Sequence, residues 1–301
     1  MSTGRVTTRD DFANPVVQLQ RILVATDFSA GARSALACAL GMARRYQCNI
    51  FLVHVIPLLQ YVAPEGSEEA IQQAKKFAAR EMQRLVEDSN CKGMVHEDIL
   101  CGEGVWPLLQ DFADRHSIDL LVVGTHGRTA AKQQLLGPVA EQVFRLSECP
   151  VLTVGSRPGS SAPATDGLQR ILYATNFKPH AERAAAVAHF LEREHGAKLT
   201  VLHVVEDQLQ ARDASHGIIR DFMIRRMRKG LPAACVGNCE PEFQVRSGEP
   251  GEQILSAARE QQSDLIILGL RAGIHTDGRL PSATAYKLVC QAACPVLTTR
   301  L

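Results

Sequence analysis

The chain repeats itself, and that constrains its fold more than any single motif. RILVATDFS, beginning at Arg21, returns as RILYATNFK at Arg170, an offset of 149 residues. Between 21–55 and 170–204, 13 of 35 positions are identical without a gap. DLLVVGTHG at Asp119 returns as DLIILGLRA at Asp264, now at an offset of 145. Both copies close on Cys-Pro-Val-Leu-Thr, at 149–153 and 294–298. Segments kept in one order across about 135 residues mark a tandem duplication in which each copy is a folding unit. A chain of 301 residues has room for two such units at the usual domain size. We therefore expect domains at 19–155 and 168–301. GSRPGSSAPATDG, residues 155–167, reads as the linker between them, since Gly, Ser, Pro and Ala present no packing face.

Within each copy, short β-branched apolar runs alternate with longer helical patterns. In the first copy, strands are predicted at 21–26, 49–55, 94–100, 119–123 and 150–154, with helices near 30–45, 66–89, 105–116 and 136–147. The second copy repeats the strands near 170–174, 198–205, 242–246, 264–268 and 295–299. FLVHV and DLLVVG are nearly continuous apolar runs, as expected of strands covered on both faces. Strand, helix and strand in series give a parallel sheet with right-handed crossovers. The expected architecture is α/β: two tandem Rossmann-like domains, each a five-stranded parallel sheet with helices on both faces.

Composition narrows the function. Thirty-three basic side chains against thirty-two acidic ones leave a net charge of +1, without the basic excess of a dedicated nucleic-acid binder. No run approaches the ~18 apolar residues of a membrane helix, so no membrane partner is expected. MSTGRVTTRDDFANP carries no apolar signal segment. Nine cysteines, an odd number scattered along the chain, do not make a disulfide framework. A reducing cytoplasm is the expected compartment.

In open α/β sheets, ligands sit beyond the carboxyl ends of the strands, where the strand order reverses. Two segments of the first copy should meet there. Ala25-Thr26-Asp27 leaves the first strand, and Gly124-Thr125-His126-Gly127 leaves the fourth. Nine residues later, Gly137-Pro138-Val139 opens a helix. Glycines at 124, 127 and 137 allow positive φ and close approach of backbone N–H groups to an anion. The helix beginning near Pro138 aims its positive end at the same place. Asp27 accepts hydrogen bonds only, which suits ribose hydroxyls; it equally suits a cap on the following helix. Arg128 and Lys132 lie in the loop with charge to neutralise phosphate. His126 lacks an orienting partner or nucleophile in the sequence, so it reads as a loop histidine near phosphate and no catalytic residue is expected. The alternative reading of the glycines is as turn residues of an α/β sheet; spacing, helix start and Asp27 together favour nucleotide binding.

At these residues the chain resembles the ATP-binding branch of the universal stress protein family. Its loop pattern is Gly, two residues, Gly, nine residues, Gly, then Ser or Thr; here it stands as G124-TH-G127-RTAAKQQLL-G137. The VATDFS start, the His-Val strand end and the CPVLTV close also match, so the resemblance runs from about 20 to 301. It implies that Ala25, Thr26 and Asp27 hold adenine and ribose, and that Val55 and Val123 line the base. It assigns Gly124, Gly127, Gly137, Val139 and Ala140 to the phosphates. Pro138 replaces the family hydroxyl and has no N–H, so ADP and AMP stand beside ATP as candidate ligands, with Mg²⁺ as an optional companion. In the second copy Asp27 becomes Asn176, Gly127 becomes Ala272 and Gly137 becomes Ser282. Left-handed backbone at Ala or Ser costs about 1–2 kcal/mol, so that loop is expected to take another shape and the second site to be degenerate.

The implied function is a stress-response protein acting through conformation or partner binding. A nucleotide-free scaffold and a slow ATP-hydrolysing enzyme are the alternatives. His-x-Gly-His and Ser-Gly-Gly-x-Asp-Ser, signatures of related nucleotide enzymes, do not occur. The resemblance also implies that the copies pair through their fifth strands, VLTVG at 151–155 and VLTTR at 296–300, as an intramolecular pseudo-dimer; a homodimer of whole chains has no support in the sequence. Cys235 and Cys239 lack a second ligand pair for zinc. Cys149 and Cys294 read as small core residues. His54 and His203, ending matched strands, read as structural.

Overall fold

The computed structural model describes residues 19–58, 67–89, 93–127, 135–155, 167–205, 214–232, 240–271 and 282–300. Cys235, Cys239, Arg128, Lys132 and Ala272 lie outside them. The first copy runs β1 (Arg21–Ala25), α1 (Ala30–Tyr46), β2 (Asn49–Pro57), α2 (Ser67–Ser89), β3 (Val95–Gly102), α3 (Val105–Arg115), β4 (Leu120–Gly124), α4 (Pro138–Leu146) and β5 (Val151–Val154). The second repeats it as β6 (Arg170–Ala174), α5 (His180–His195), β7 (Lys198–Val205), α6 (Ala214–Gly230), β8 (Glu242–Ser247), α7 (Pro250–Glu260), β9 (Leu265–Leu270), α8 (Ala283–Gln291) and β10 (Val296–Arg300).

All ten strands form one sheet in the order β3-β2-β1-β4-β5-β10-β9-β6-β7-β8. Pairing is parallel within each copy. Only β5 and β10 run antiparallel, with Leu152 opposite Leu297. The fifth strands are thus the seam, as the resemblance implied. Edge strands with unpaired backbone are open to this joining, and Thr153 Oγ1 and Thr298 Oγ1 add bonds to the carbonyls of Val296 and Val151.

Repeat counterparts also touch each other. Tyr46 Oη lies 2.6 Å from His195 Nε2, and Arg45 donates to the Glu194 carbonyl. Both pairs are 149 residues apart, the repeat offset. Residues that meet their own counterparts sit beside a twofold axis, here a pseudo-twofold between the copies.

The apolar runs place the core on both faces of the sheet. On one face, Ile22, Val24, Ile50 and Leu52 pack beneath α1 and α2, and Ile171, Tyr173, Leu199 and Val201 beneath α5 and α6. On the other, Leu23, Val53, Leu121 and Val123 pack against α3 and α4, and Leu172, Ile266 and Leu268 against α7 and α8. Strand alternation sends successive side chains to opposite layers. An aspartate before β4 fixes its start against β1, since Asp119 Oδ2 accepts from the N–H groups of Gln20 and Arg21 at 2.8 Å. Asp264 does the same for Gln169 and Arg170 in the second copy. Among the described residues no helix is long and apolar enough to cross a membrane.

Candidate functional site

β1 lies between β2 and β4, so the connections leaving β1 and β4 depart to opposite faces: α1 covers one layer and α4 the other. The crevice above their carboxyl ends is the topological switch point of the first copy. A chain of local hydrogen bonds shapes the loop after β1. The Thr26 N–H donates to the Val53 carbonyl at 2.9 Å. Thr26 Oγ1 accepts from Phe28 N–H at 3.1 Å, and Asp27 Oδ1 from Ser29 N–H at 3.0 Å. These short side-chain turns hold Phe28 at φ 65°. Ser29 then caps α1 through the Ala32 N–H at 3.2 Å. Asp27 is therefore not the helix cap; Ser29 is. His54 braces the turn from below, its Nδ1 2.8 Å from the Thr26 carbonyl and its ring 4.5 Å from that of Phe28.

The loop after β4 lies directly against this turn. Ser29 Oγ donates to the His126 carbonyl at 3.4 Å. A Cβ built on Gly31 would stand 2.5 Å from that same oxygen, and one on Gly124 would stand 2.5 Å from the Gly31 carbonyl carbon. A Cβ on Gly127 would stand 2.6 Å from Asp27 Oδ2. The expectation of positive φ at the glycines is corrected here: Gly124, Gly127 and Gly137 are absent from the left-handed set, and Gly137 has φ −64°. What Gly124 supplies is close approach of two backbones and what Gly127 supplies is room for the Asp27 carboxylate, for which a side chain is too large. At Gly137 a Cβ would stand 3.4 Å from the Gly127 nitrogen, an ordinary contact.

Gly137 returns the loop to the same point. Its N–H donates to the Thr125 carbonyl at 2.9 Å. It is the N-cap of α4, with Pro138 at the first helical position, where a missing N–H costs nothing. Having no side chain, Gly137 offers no acceptor to the N–H groups of Val139 and Ala140. His126 Nδ1 bonds Thr125 Oγ1 at 2.8 Å, while its Nε2 is buried without a partner among the described residues. Val55, Val123 and Ala140 are buried in the layer under α3 and α4, and Ala25 and Val139 pack against that layer. Asp27, Gly124, His126, Gly127 and Gly137 thus meet beyond the ends of β1 and β4, and Arg128 lies outside the described residues.

The second copy keeps the first half of this arrangement. Thr175, Asn176, Phe177 and His203 reproduce the turn, with Asn176 Oδ1 accepting from Lys178 N–H at 3.1 Å and His203 Nδ1 2.8 Å from the Thr175 carbonyl. The matched histidines thus have the structural role read from the sequence. Gly269 likewise keeps the close approach of Gly124, a Cβ on it meeting the backbone of His180, but one further difference was not read from the sequence. Gly31 is replaced by His180, a change visible in the aligned repeats. The His180 ring reaches Asn176, Nε2 to Nδ2 at 3.2 Å, where the first copy has only backbone. Burial, with Lys178 and Arg271 nearby, holds its pKa below the ordinary value. Ser282 is also no strained stand-in for Gly137, which corrects the left-handed argument: its φ is −167° and its Oγ accepts from the Ala285 N–H at 3.2 Å, capping α8. Ala285 is the counterpart of Ala140.

Among the described residues no group of three His, Cys, Asp or Glu could hold a metal ion. Burial pushes the thiols of Cys149 and Cys294 up, the latter to about 12, as fits unreactive packing residues. The basic run at the end of α6 also has local uses: Arg226 stacks over Phe177 at 4.5 Å and Arg228 over Phe243 at 5.2 Å.

Comparison with known proteins agrees with this architecture. Universal stress protein MJ0531 of Methanocaldococcus jannaschii is 30% identical over 141 residues, covering 45% of this chain and 81% of that protein. A universal stress protein of Thermus aquaticus is 34% identical over 134 residues, 43% of this chain and 97% of its own. Each therefore corresponds to one copy. The crystal structure of a universal stress protein from Archaeoglobus fulgidus superposes with a TM-score of 0.68 at 21% identity, over 94% of this chain and 99% of that one, a likeness of fold. The universal stress protein family model matches residues 18–155 and 167–300. With both copies matched and joined in one sheet, the chain belongs to the universal stress protein family as a tandem member.

Proposed function

We propose that the first copy binds an adenine nucleotide, ATP, ADP or AMP, in the crevice between β1 and β4, and that the protein acts in stress response through conformation or partner binding. The observation that carries this reading is the difference between the two helix starts. In the second copy, Ser282 Oγ takes one N–H of the first turn of α8, that of Ala285. In the first, Gly137 leaves the corresponding turn of α4 without a side-chain acceptor, beside the backbone of Gly127 and the carboxylate of Asp27. An uncapped helix start beside tightly approaching backbone is suited to phosphate. The buried Nε2 of His126 supplies a further polar group awaiting a partner.

Asp27 accepts ribose hydroxyls, while Ala25, Thr26, Val55 and Val123 form the side facing the base. Gly124, His126 and Gly127 make the loop around the phosphates, and Gly137, Pro138, Val139 and Ala140 present the helix end; Arg128, outside the described residues, is a phosphate partner by its sequence position alone. Pro138 contributes no hydroxyl and no N–H, so affinity should not depend steeply on a third phosphate. Mg²⁺, where it takes part, arrives with the phosphates. Rapid phosphoryl transfer asks for positioned acidic ligands to metal; among the described residues no group of three His, Cys, Asp or Glu could supply them, and slow ATP hydrolysis is the alternative activity. Mass spectrometry of material released from denatured, freshly purified protein tests the reading. ATP, ADP or AMP is the expected ligand. A chain that neither retains nor binds any of them is a scaffold.

A further inference from the structure

The sheet seam buries an arginine. Arg300, the last residue of β10, is 4% exposed. Its Nη1 donates to the Arg145 carbonyl at 2.7 Å and its Nη2 to the Phe144 carbonyl. Both acceptors belong to the last turn of α4, in the other copy. Among the described residues Nε is buried without a partner and no carboxylate pairs with the guanidinium. A buried cation without a counter-charge is costly, and the carbonyl end of a helix is one of the few groups that stabilises it. Arg183 Nη1 in turn holds the Arg300 carbonyl at 3.0 Å.

The arrangement is one-sided. At the repeat offset of 145, the counterpart of Arg300 is Gly155. A Cβ built there would stand 3.8 Å from the carbonyl of Ala292, the C-cap of α8. A side chain at 155 would thus be aimed at the end of α8, but glycine has none to send. The second copy grips the helix of the first, and no equivalent side chain returns from 155.

We infer that Arg300 is a positioning residue through which the second copy fixes α4, and with it the α4 N-terminus that faces the phosphates in the first copy. This rests on the nucleotide reading above. It gives the degenerate copy a task, which is to hold the helix that the intact site uses.

The test is calorimetric titration of the full chain with ATP and with adenosine, in wild type, Arg300→Met and Arg300→Lys. Methionine keeps an apolar stem of similar reach and loses every donor. ATP affinity should fall about tenfold, the scale of one lost charge-assisted anchor, while adenosine affinity stays within about twofold because adenosine carries no phosphate to meet the α4 N-terminus. Lysine, with one donor tip in place of a fork, should fall between. An unchanged ratio of ATP to adenosine affinity in both variants overturns the inference, and a general loss of packing would lower both affinities together. Should Arg300→Met fail to fold, the ratio in Arg300→Lys decides in the same way. If wild type binds neither ligand, the nucleotide reading fails and hydrogen exchange decides instead. Amides in the first turns of α4 should then exchange faster in Arg300→Lys while those of α8 do not, and equal protection in both helices overturns the inference.

Discussion

Asp27 and Gly127 act as a pair. Asn176 shows that an amide supports the same turn after the strand, since its Oδ1 receives the Lys178 N–H just as Asp27 Oδ1 receives that of Ser29. Asp27→Asn should therefore fold normally, with an unchanged melting temperature. It should weaken nucleotide binding about tenfold, as expected from losing a charged acceptor; calorimetry beside a melting curve checks both. Gly127→Ala places a methyl group 2.6 Å from Asp27 Oδ2, so it should displace that carboxylate and abolish binding with little loss of stability. Gly124→Ala meets the backbone of Gly31 instead. Overpacking against a fixed helix start should cost about 1–3 kcal/mol, read as a lower denaturation midpoint. The contrast between these two glycines separates ligand contact from packing. The sequence named both positions, because glycine at fixed spacing is conspicuous. Of the two reasons read from them, positive φ fails and close approach stands, because a glycine needed for one and a glycine needed for the other are spelled alike. Gly31 went unremarked for a related reason: its role depends on the His126 carbonyl 95 residues away, and only the histidine at 180 hints at it.

At the scale of elements, α4 and α8 are one helix in two electrostatic states. Ser282 makes α8 self-sufficient, whereas α4 starts at a residue with no cap to give. Gly137→Ser should copy the cap of α8 into the first copy. Its φ of −64° and ψ of 154° suit serine, so the change should stabilise by a few tenths of a kcal/mol while lowering nucleotide affinity, as Oγ competes for the same N–H. Thermal melting and titration on one preparation would register the opposite signs. Element positions were largely legible in the sequence: buried parallel strands are continuous apolar runs, and a repeated chain offers each reading twice. α4 was expected from 136 and begins at Pro138, because Leu136 is spent on the core as part of the loop. Caps were less legible, since Asp27 and Ser29 are both good cap residues and only hydrogen-bond geometry distinguishes them.

The whole molecule is held at the seam by strand pairing and by the contacts beside the pseudo-twofold. His195 belongs to these contacts: the Leu168 N–H donates to Nδ1 at 3.0 Å, and Tyr46 Oη meets Nε2. Burial, then the charge of Arg45, lowers its pKa from 6.5 to about 4. A histidine depressed in the folded state contributes stability above its unfolded pKa, and that stability is lost as pH falls through the folded one. Melting temperature should thus drop between pH 6.5 and 4, and His195→Gln should flatten that part of the profile; a variant with the wild-type slope would remove His195 from the acid response. The seam joins two copies of unequal chemistry, with Asp27, Gly31 and Gly137 in one and Asn176, His180 and Ser282 in the other. The account therefore stands most directly on stoichiometry. Calorimetric titration of nucleotide-free protein with ATP or ADP should give one site per chain, and that site should vanish in Gly127→Ala. Two equivalent sites per chain, or one site that survives Gly127→Ala unchanged, would contradict it.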